Sequence, residues 1–247
     1  MYHFFVERSQ IHPESVTITG PDVNHIKNVL RMKPGEQVLI SNGEDRDYLC
    51  RLTEISADAV EAEILEEREE TSELPAKIWL FQGLPKSDKM ELIIQKAVEL
   101  GAYQIVPVVT KRAVVKLDKK KEEAKLKRWN AISESAAKQS KRLIIPEIAP
   151  VMSFDEALAF VKDFDSRCIP YECASGMDSV RQFVSQTGPG QKIAVFIGPE
   201  GGFEEIEIEK AREAGVVPVS LGKRILRTET AGLALLSVLA FHLEGGL

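Results

Sequence analysis

Two segments near the carboxyl end combine residue types that could bind a ligand and act on it. The first, Gly198-Pro199-Glu200-Gly201-Gly202, follows an apolar run and precedes a charged, helix-like one. Glycines lack a Cβ and accept positive φ, so they let a backbone approach a ligand or another loop; an ordinary turn would use the same cluster. The second, Leu221-Gly222-Lys223-Arg224-Ile225-Leu226-Arg227-Thr228-Glu229-Thr230-Ala231, sets arginines and a glutamate beside a glycine. Neither has the Gly-x-Gly-x-x-Gly spacing or the Gly-Lys-Ser/Thr ending that serve phosphates through a helix N-terminus. Such loops suit a ligand without phosphate, gripped by backbone groups and aliphatic walls, although Ile225 and Leu226 taken alone fit a core equally well. Arg227 is a permanent cation rich in donors, fit to stabilise an anion or to pair inside the loop. Glu229 is a conceivable base, yet it stands where a last helix begins, and the helix dipole favours a carboxylate there without any catalysis. Glu200 can bind a hydroxyl or brace a loop.

These loops must be carried by something rigid, and the pattern upstream supplies it. Lys77 to Gln82, Gln104 to Val109, Cys168 to Glu172, Lys192 to Ile197 and Val216 to Leu221 read as strands. Between them stand an amphipathic helix from Asp88 to Leu100 stopped by Gly101, a long basic helix around Lys120 to Lys141, a helix opened by the capping pair Ser153 and Glu156, and another from Glu204 to Ala214. Alternating strands and helices predict an α/β domain with a mostly parallel sheet covered on both faces. The glycine-bearing loops then follow strand ends, where open sheets gather ligands. The first seventy residues differ. Gln37 to Ser41 and Arg46 to Glu54 flank Asn42-Gly43 as a hairpin, Ala59 to Leu65 alternates, and Pro21 to Met32 has helical spacing with Asp22 placed as its cap. The charged run Glu66 to Leu74 is the linker candidate. Two modules follow, 1–72 and 73–247.

At 247 residues with 44% hydrophobic content, the chain can bury a core. The apolar run Ala231 to Phe241 is too short to span a bilayer, and Met1 to Ser9 lacks the features of a signal peptide, so we expect a cytoplasmic protein. Cys50, Cys168 and Cys173 have no metal-ligand spacing and read as small buried hydrophobes; no metal is expected. The net charge of −6 argues against a uniformly basic nucleic-acid binder. Its distribution is uneven: Glu54 to Glu73 holds nine acidic residues and one arginine, whereas Lys111 to Arg142 holds twelve Lys or Arg and four Asp or Glu. The second stretch is either a solvated face or a patch that attracts phosphates.

The two loops, in this order and at this separation, resemble the signature of the bacterial small-subunit (16S) ribosomal RNA uridine-N3 methyltransferases, a family of the SPOUT class. The likeness continues upstream through Leu84-Pro85-Lys86, Lys89-Met90, Lys96, Glu99-Leu100-Gly101, Lys138-Gln139-Ser140 and Arg142. In the first module Asp22, His25 and Val29-Leu30-Arg31 resemble the family's PUA-like RNA-binding domain. The resemblance implies a small PUA-like β-barrel followed by a trefoil-knotted methyltransferase domain. It implies S-adenosyl-L-methionine as cofactor, held by Gly198, Pro199, Glu200, Gly201, Gly202, Leu221, Gly222, Ile225 and Leu226. It further implies a homodimer, with which the apolar circumference of Ala231 to Phe241 agrees, and no membrane. On this reading Arg227 and Glu229 are the catalytic candidates. Arg31, Lys86, Lys89, Lys138, Gln139, Ser140 and Arg142 are expected to contact 16S rRNA or the small ribosomal subunit, and His25 either touches phosphate or makes a structural hydrogen bond.

Overall fold

The computed structural model describes residues 1–68, 72–115, 117–172 and 176–245, so Cys173, Lys116 and residues 69–71 of the expected linker lie outside the described residues. The chain divides into two compact units. One comprises Met1–Glu73 together with Ala137–Ile145, and the other Leu74–Ala136 with Pro146–Leu247.

The first unit is a five-stranded sheet in the order β1 (Tyr2–Phe5), β3 (Gln37–Ser41), β4 (Asp47–Ile55), β5 (Ala59–Arg68), β2 (Ser15–Thr19). Only the β1–β3 pair is parallel. Alternation puts Phe4, Val16, Ile18, Val38, Ile40, Leu52, Val60 and Ala62 on one side, where they share a core with Val23 and Ile26. The hairpin loop is longer than Asn42-Gly43 alone, because the Asn42 carboxamide oxygen accepts the amides of Glu44, Asp45 and Arg46. The expected helix is shorter and less regular than its spacing implied. After α1 (Pro21–Asn24) the chain makes a π-helical turn, His25–Val29, and leaves it through Arg31 at φ +54°. Gly20, not Asp22, caps α1; the Asp22 carboxylate instead binds the Lys138 ammonium at 2.9 Å.

Two polar clusters lie inside this unit. His3 Nε2 is 2.5 Å from Ser41 Oγ, which donates to the Asp47 carboxylate. Burial, with the positive charges of Lys138 and Lys141, lowers the His3 pKa to about 4, so the ring is neutral at physiological pH. All three residues are buried, and the serine hydroxyl is committed to the aspartate, which makes the trio a bracing network and not a nucleophile. The second cluster centres on Arg142. Its side chain is 3% exposed, and Nε and Nη2 both bind the Glu73 carboxylate, which also accepts the Leu143 amide at 2.9 Å.

The second unit holds a parallel sheet in the order β12 (Val217–Val219), β10 (Ser166–Pro170), β11 (Lys192–Ile197), β6 (Lys77–Gly83), β7 (Gln104–Val109), β8 (Glu147–Ile148), with β9 (Met152–Ser153) also on β7. Burial on both faces explains why β6 and β11 are continuous apolar runs, not alternating ones. One face is aromatic: Phe81 stacks on Phe196 with ring centroids 4.6 Å apart. Trp79, Phe154 and Phe203 join them beneath α4 (Phe154–Phe160) and α6 (Glu205–Glu213). On the other, Leu80 and Ile197 meet α7 (Thr228–Leu243), which packs beside α2 (Lys89–Glu99) and α5 (Asp178–Ser185). Gly232 faces Ile197 and Leu80 there, at the distance of ordinary van der Waals contact for a Cβ, so packing does not require a glycine at this position. The Ser153–Glu156 capping box forms as expected, and the basic helix, α3, runs from Lys119 to Ser140. Having left the edge strand β12, the chain returns to the centre of the sheet before entering α7.

Replacing Arg142 by Met leaves the Glu73 carboxylate without its guanidinium partner. Unfolding in urea should show a loss of about 3 kcal/mol, against about 0.5 kcal/mol for a solvated arginine free to serve RNA. An unchanged midpoint would return Arg142 to the surface role.

Candidate functional site

The carboxyl ends of β10, β11 and β12 enclose a cavity of about 740 Å³, within the range of small-ligand sites. Gly198, Pro199, Glu200, Gly201 and Gly202 form one wall, and Leu221, Gly222, Ile225, Leu226 and Arg227 another. The sheet order makes them neighbours, because β12 and β11 flank β10. Pro170, Tyr171 and Met177 also line the cavity, as do Lys89, Arg112 and Thr228. Of these additions, Pro170 and Tyr171 were legible in principle, as the end of a strand parallel to β11. Arg112 carried no sequence signal.

Close backbone contacts hold the first loop. A Cβ on Gly83, at the end of β6, would lie 2.6 Å from Pro199 Cδ and 2.7 Å from its backbone nitrogen. A Cβ on Gly198 would come within 3.0 Å of Gly202, and one on Gly201 within 3.1 Å of Arg112. Gly202 at φ +66° turns back so that its amide reaches the Pro199 carbonyl at 2.9 Å. Polar links add to these contacts. Thr228 Oγ1 donates to the Gly198 carbonyl at 2.6 Å and accepts from Gln82 Nε2 at 2.9 Å, tying the start of α7 to the ends of β6 and β11. Arg112 donates to the Gly201 carbonyl at 2.9 Å. The buried Glu207 carboxylate accepts the amides of Lys111 and Glu204, which fixes Lys111 against the start of α6.

The second loop is less enclosed. Gly222 sits at φ +107°, and Ile225 lines the cavity while 87% exposed, so little of its apolar side chain is buried there. Leu226 is half-buried, and the backbone amides of Ile225 and Leu226 take no hydrogen bond among the described residues. Arg227 is exposed at the cap of α7.

Three charged groups meet beside the cavity. Lys89 Nζ is 3.1 Å from Glu200 Oε1 and 3.2 Å from Glu229 Oε2, and the Glu200 carboxylate also accepts the Lys86 amide at 3.1 Å. The amide at the α7 N-terminus and the Lys89 ammonium hold Glu229 below the usual carboxylate range. Partial burial would raise Glu200, but its own amide, Lys89 and the Lys86 amide outweigh that and lower it. Lys89 is raised in turn, by its bonds to both carboxylates. A Glu229 whose pKa is lowered, whose carboxylate is paired and which does not line the cavity is a poor general base, and a Lys89 paired with two carboxylates is not a free phosphate contact.

The other expected RNA residues differ in their local settings. Lys86 and Gln139 are exposed, Arg31 is exposed in its left-handed backbone, Lys138 binds Asp22, Ser140 is half-buried, and Arg142 is buried on Glu73. Among the described residues no group of three or more His, Cys, Asp or Glu is placed to hold a metal, and no helix is long and apolar enough to cross a membrane. Buried Cys50 and Cys168 have their thiol pKa values raised by desolvation, Cys50 to about 12.

Comparison with known proteins decides the family. A profile for RNA methyltransferase domains matches residues 72–240, and one for RNA methyltransferase PUA domains matches residues 18–65. Ribosomal RNA small subunit methyltransferase E of Bacillus subtilis (strain 168) is 40% identical over 250 residues, covering 99% of this chain and 98% of that protein. The chain belongs to the ribosomal RNA small subunit methyltransferase E family. Among solved structures, the family member from Neisseria gonorrhoeae bound to S-adenosyl methionine is 35% identical, with a TM-score of 0.84 over 96% of this chain and 95% of that one. A putative methyltransferase from Legionella pneumophila, in complex with the same cofactor, is 32% identical with a TM-score of 0.84 over 96% of each chain. The family's methyltransferase and PUA profiles thus fall on the parallel sheet and the five-stranded sheet respectively.

Because the Gly83–Pro199 contact is backbone against backbone, Gly83→Ala must displace the glycine-rich loop of this family member. We expect a folded protein whose affinity for the cavity's ligand falls at least tenfold by calorimetry. Unchanged affinity would show that the loop position is not what the ligand reads.

Proposed function

We propose that this chain transfers a methyl group from S-adenosyl-L-methionine to N3 of a uridine in 16S ribosomal RNA, acting in the cytoplasm on the rRNA or the small subunit. The observation that carries the reading is the cavity formed where two glycine-bearing loops meet at the ends of β11 and β12.

The residues present fit the cofactor. Glycine backbones and the flank of Leu221 suit the faces of an adenosyl group, and the unpaired amides of Ile225 and Leu226 suit its ring nitrogens. No phosphate cradle is offered, and none is needed. The Gly198–Gly202 loop and Leu221, Gly222, Ile225 and Leu226 would hold it. When bound, it supplies a methyl group already activated by a sulfonium centre.

The chain must therefore orient the uridine and stabilise what its deprotonation creates. Loss of the N3 proton leaves negative charge over the ring oxygens, and we assign its stabilisation to Arg227, a permanent cation that lines the cavity. Glu229, read from sequence as a base, is better cast as part of the ion-pair cluster. The N3 proton passes to solvent, to which the cavity-lining Arg227 and Ile225 are both exposed. Lys86, Gln139 and Arg31 remain free to meet phosphates. The return of the chain from β12 to the sheet centre is the crossing that we read as the knot. Exposed Leu92, Val238 and Phe241 on the adjacent α2 and α7 support a second copy as partner.

Incubation with unmodified small subunits and labelled cofactor should yield N3-methyluridine by mass spectrometry of nucleosides; any other product overturns the position. Arg227→Ala should lower single-turnover methyl transfer by roughly 100-fold while cofactor affinity stays within threefold. A near-normal rate removes Arg227 from the chemistry. Phe241→Asp should shift sedimentation from dimer to monomer, and a wild-type monomer would dismiss the dimer.

A further inference from the structure

Lys89 is the first residue of α2, where the positive end of the helix dipole disfavours a cation. A lysine on the wrong end of an eleven-residue helix needs compensation from elsewhere, and it has two sources. Glu200 comes from the loop after β11 and Glu229 from the first turn of α7, and both reach the same nitrogen, at 3.1 and 3.2 Å. The three side chains are 29%, 29% and 18% exposed, so their attraction is screened less than that of a surface pair. Lys89 itself lines the cavity, whereas Glu229 stands behind it.

We infer that Lys89 is a positioning residue of the cofactor pocket, its ammonium clamping Glu200 of the glycine-rich loop to Glu229 of the last helix. The inference rests on the reading of the cavity as the methyl-donor site. A loop with glycines at three of five positions has few side chains by which it can be held, and each glycine adds conformational freedom that binding must remove. Glu200 is the loop's one charged handle. Through it, Lys89 fixes the loop to α2 and α7, and the Lys86 amide repeats the hold on the same carboxylate. Without the ammonium, two carboxylates remain near one another with no cation between them, and their repulsion opens the loop that Thr228 and Gly83 otherwise keep closed.

The sign of the pH response follows. In the wild type both carboxylates are held below their usual range, so the clamp is complete above their unfolded pKa, roughly 4.3, and is lost as pH falls through the lower folded values. In Lys89→Met the repulsion is greatest when both are ionised, and acidification relieves it.

Calorimetry with S-adenosyl-L-methionine on the full chain tests this, alongside thermal midpoints of the ligand-free protein. Lys89→Met should weaken binding roughly 10- to 100-fold at pH 7.5. Its affinity should rise as pH falls from about 6.5 to 4.5, where two uncompensated carboxylates begin to protonate, while the wild type, whose carboxylates are held lower, stays level. Lys89→Arg should keep most of the affinity, and Lys89→Met with Glu229→Gln should recover a substantial part of what Lys89→Met loses. A packing role for the lysine stem would show neither the inverted slope nor the rescue. Equal wild-type and Lys89→Met affinities overturn the proposal, as does a Lys89→Met protein that loses only RNA affinity and salt dependence. If the wild type itself ignores the cofactor with and without rRNA, the donor-site reading fails. The clamp is then judged on the midpoints, which must fall in Lys89→Met and recover in the double variant.

Discussion

Where β6 and β11 end side by side, two backbones lie closer than any side chain would permit. Gly83 and the Gly198–Pro199 peptide leave no room for a methyl group, and Gly198 in turn folds onto Gly202. Everything at the site is placed relative to that contact. It brings the loop after β11 over the end of the central strand, and there the Thr228 hydroxyl reaches the Gly198 carbonyl. The last helix is thus anchored to the same point, and the loop that precedes it must arch over the ends of β10 and β12. The cavity is the space this arch leaves, so its shape is set by main-chain geometry more than by the side chains lining it.

Side-chain charge has a different task. Arg142 with Glu73 and Lys138 with Asp22 are settled inside the first unit. Lys89 with Glu200 and Glu229, Arg112 with the Gly201 carbonyl, and Glu207 with the Lys111 amide are settled around the cavity. Each joins segments remote in sequence, and all but the exposed Arg112 link are at least partly shielded from water, the condition under which such pairs contribute to order. A count of basic residues between Lys111 and Arg142 therefore overstates the charge available to a polyanion.

This explains what could be read from the chain before its structure. Patterns confined to neighbouring residues were legible: β11 spans the residues its apolar run indicates, α6 lies within the range foreseen, and the Ser153–Glu156 box opens α4. The glycine cluster after β11 was legible as a turn or a close backbone approach, and the structure brings both segments to one cavity. What escaped depended on partners. Asp22 has the position of a helix cap, yet its carboxylate is taken by a lysine 116 residues away. Arg142 has the composition of a phosphate ligand, and the residue that buries it lies in a stretch that reads as linker. The aliphatic Ile225 reads as wall or core, but it lines the cavity while largely exposed. Strands of two residues, β8 and β9, carry too few residues for a period to show, whereas the short helix α5 does show one, burying Val180, Phe183 and Val184.

The division between backbone and side chain also bears on how the site responds to change. A cavity shaped by glycine contacts and by hydroxyl-to-carbonyl links has little capacity to adjust, because a Cβ at Gly83 meets main chain and not the flexible end of a side chain. The ion-pair cluster is softer, since ammonium and carboxylate groups can move by tenths of an ångström without losing attraction. Combining the two gives a loop that is rigid where the ligand must touch it and adjustable where it is tethered. Arg227 stands at the boundary of the two regimes, capping the helix that the rigid contacts anchor while its own guanidinium remains in solvent. If Arg227 acts as proposed, this is the arrangement its role asks for, with its backbone fixed and its side chain not yet engaged.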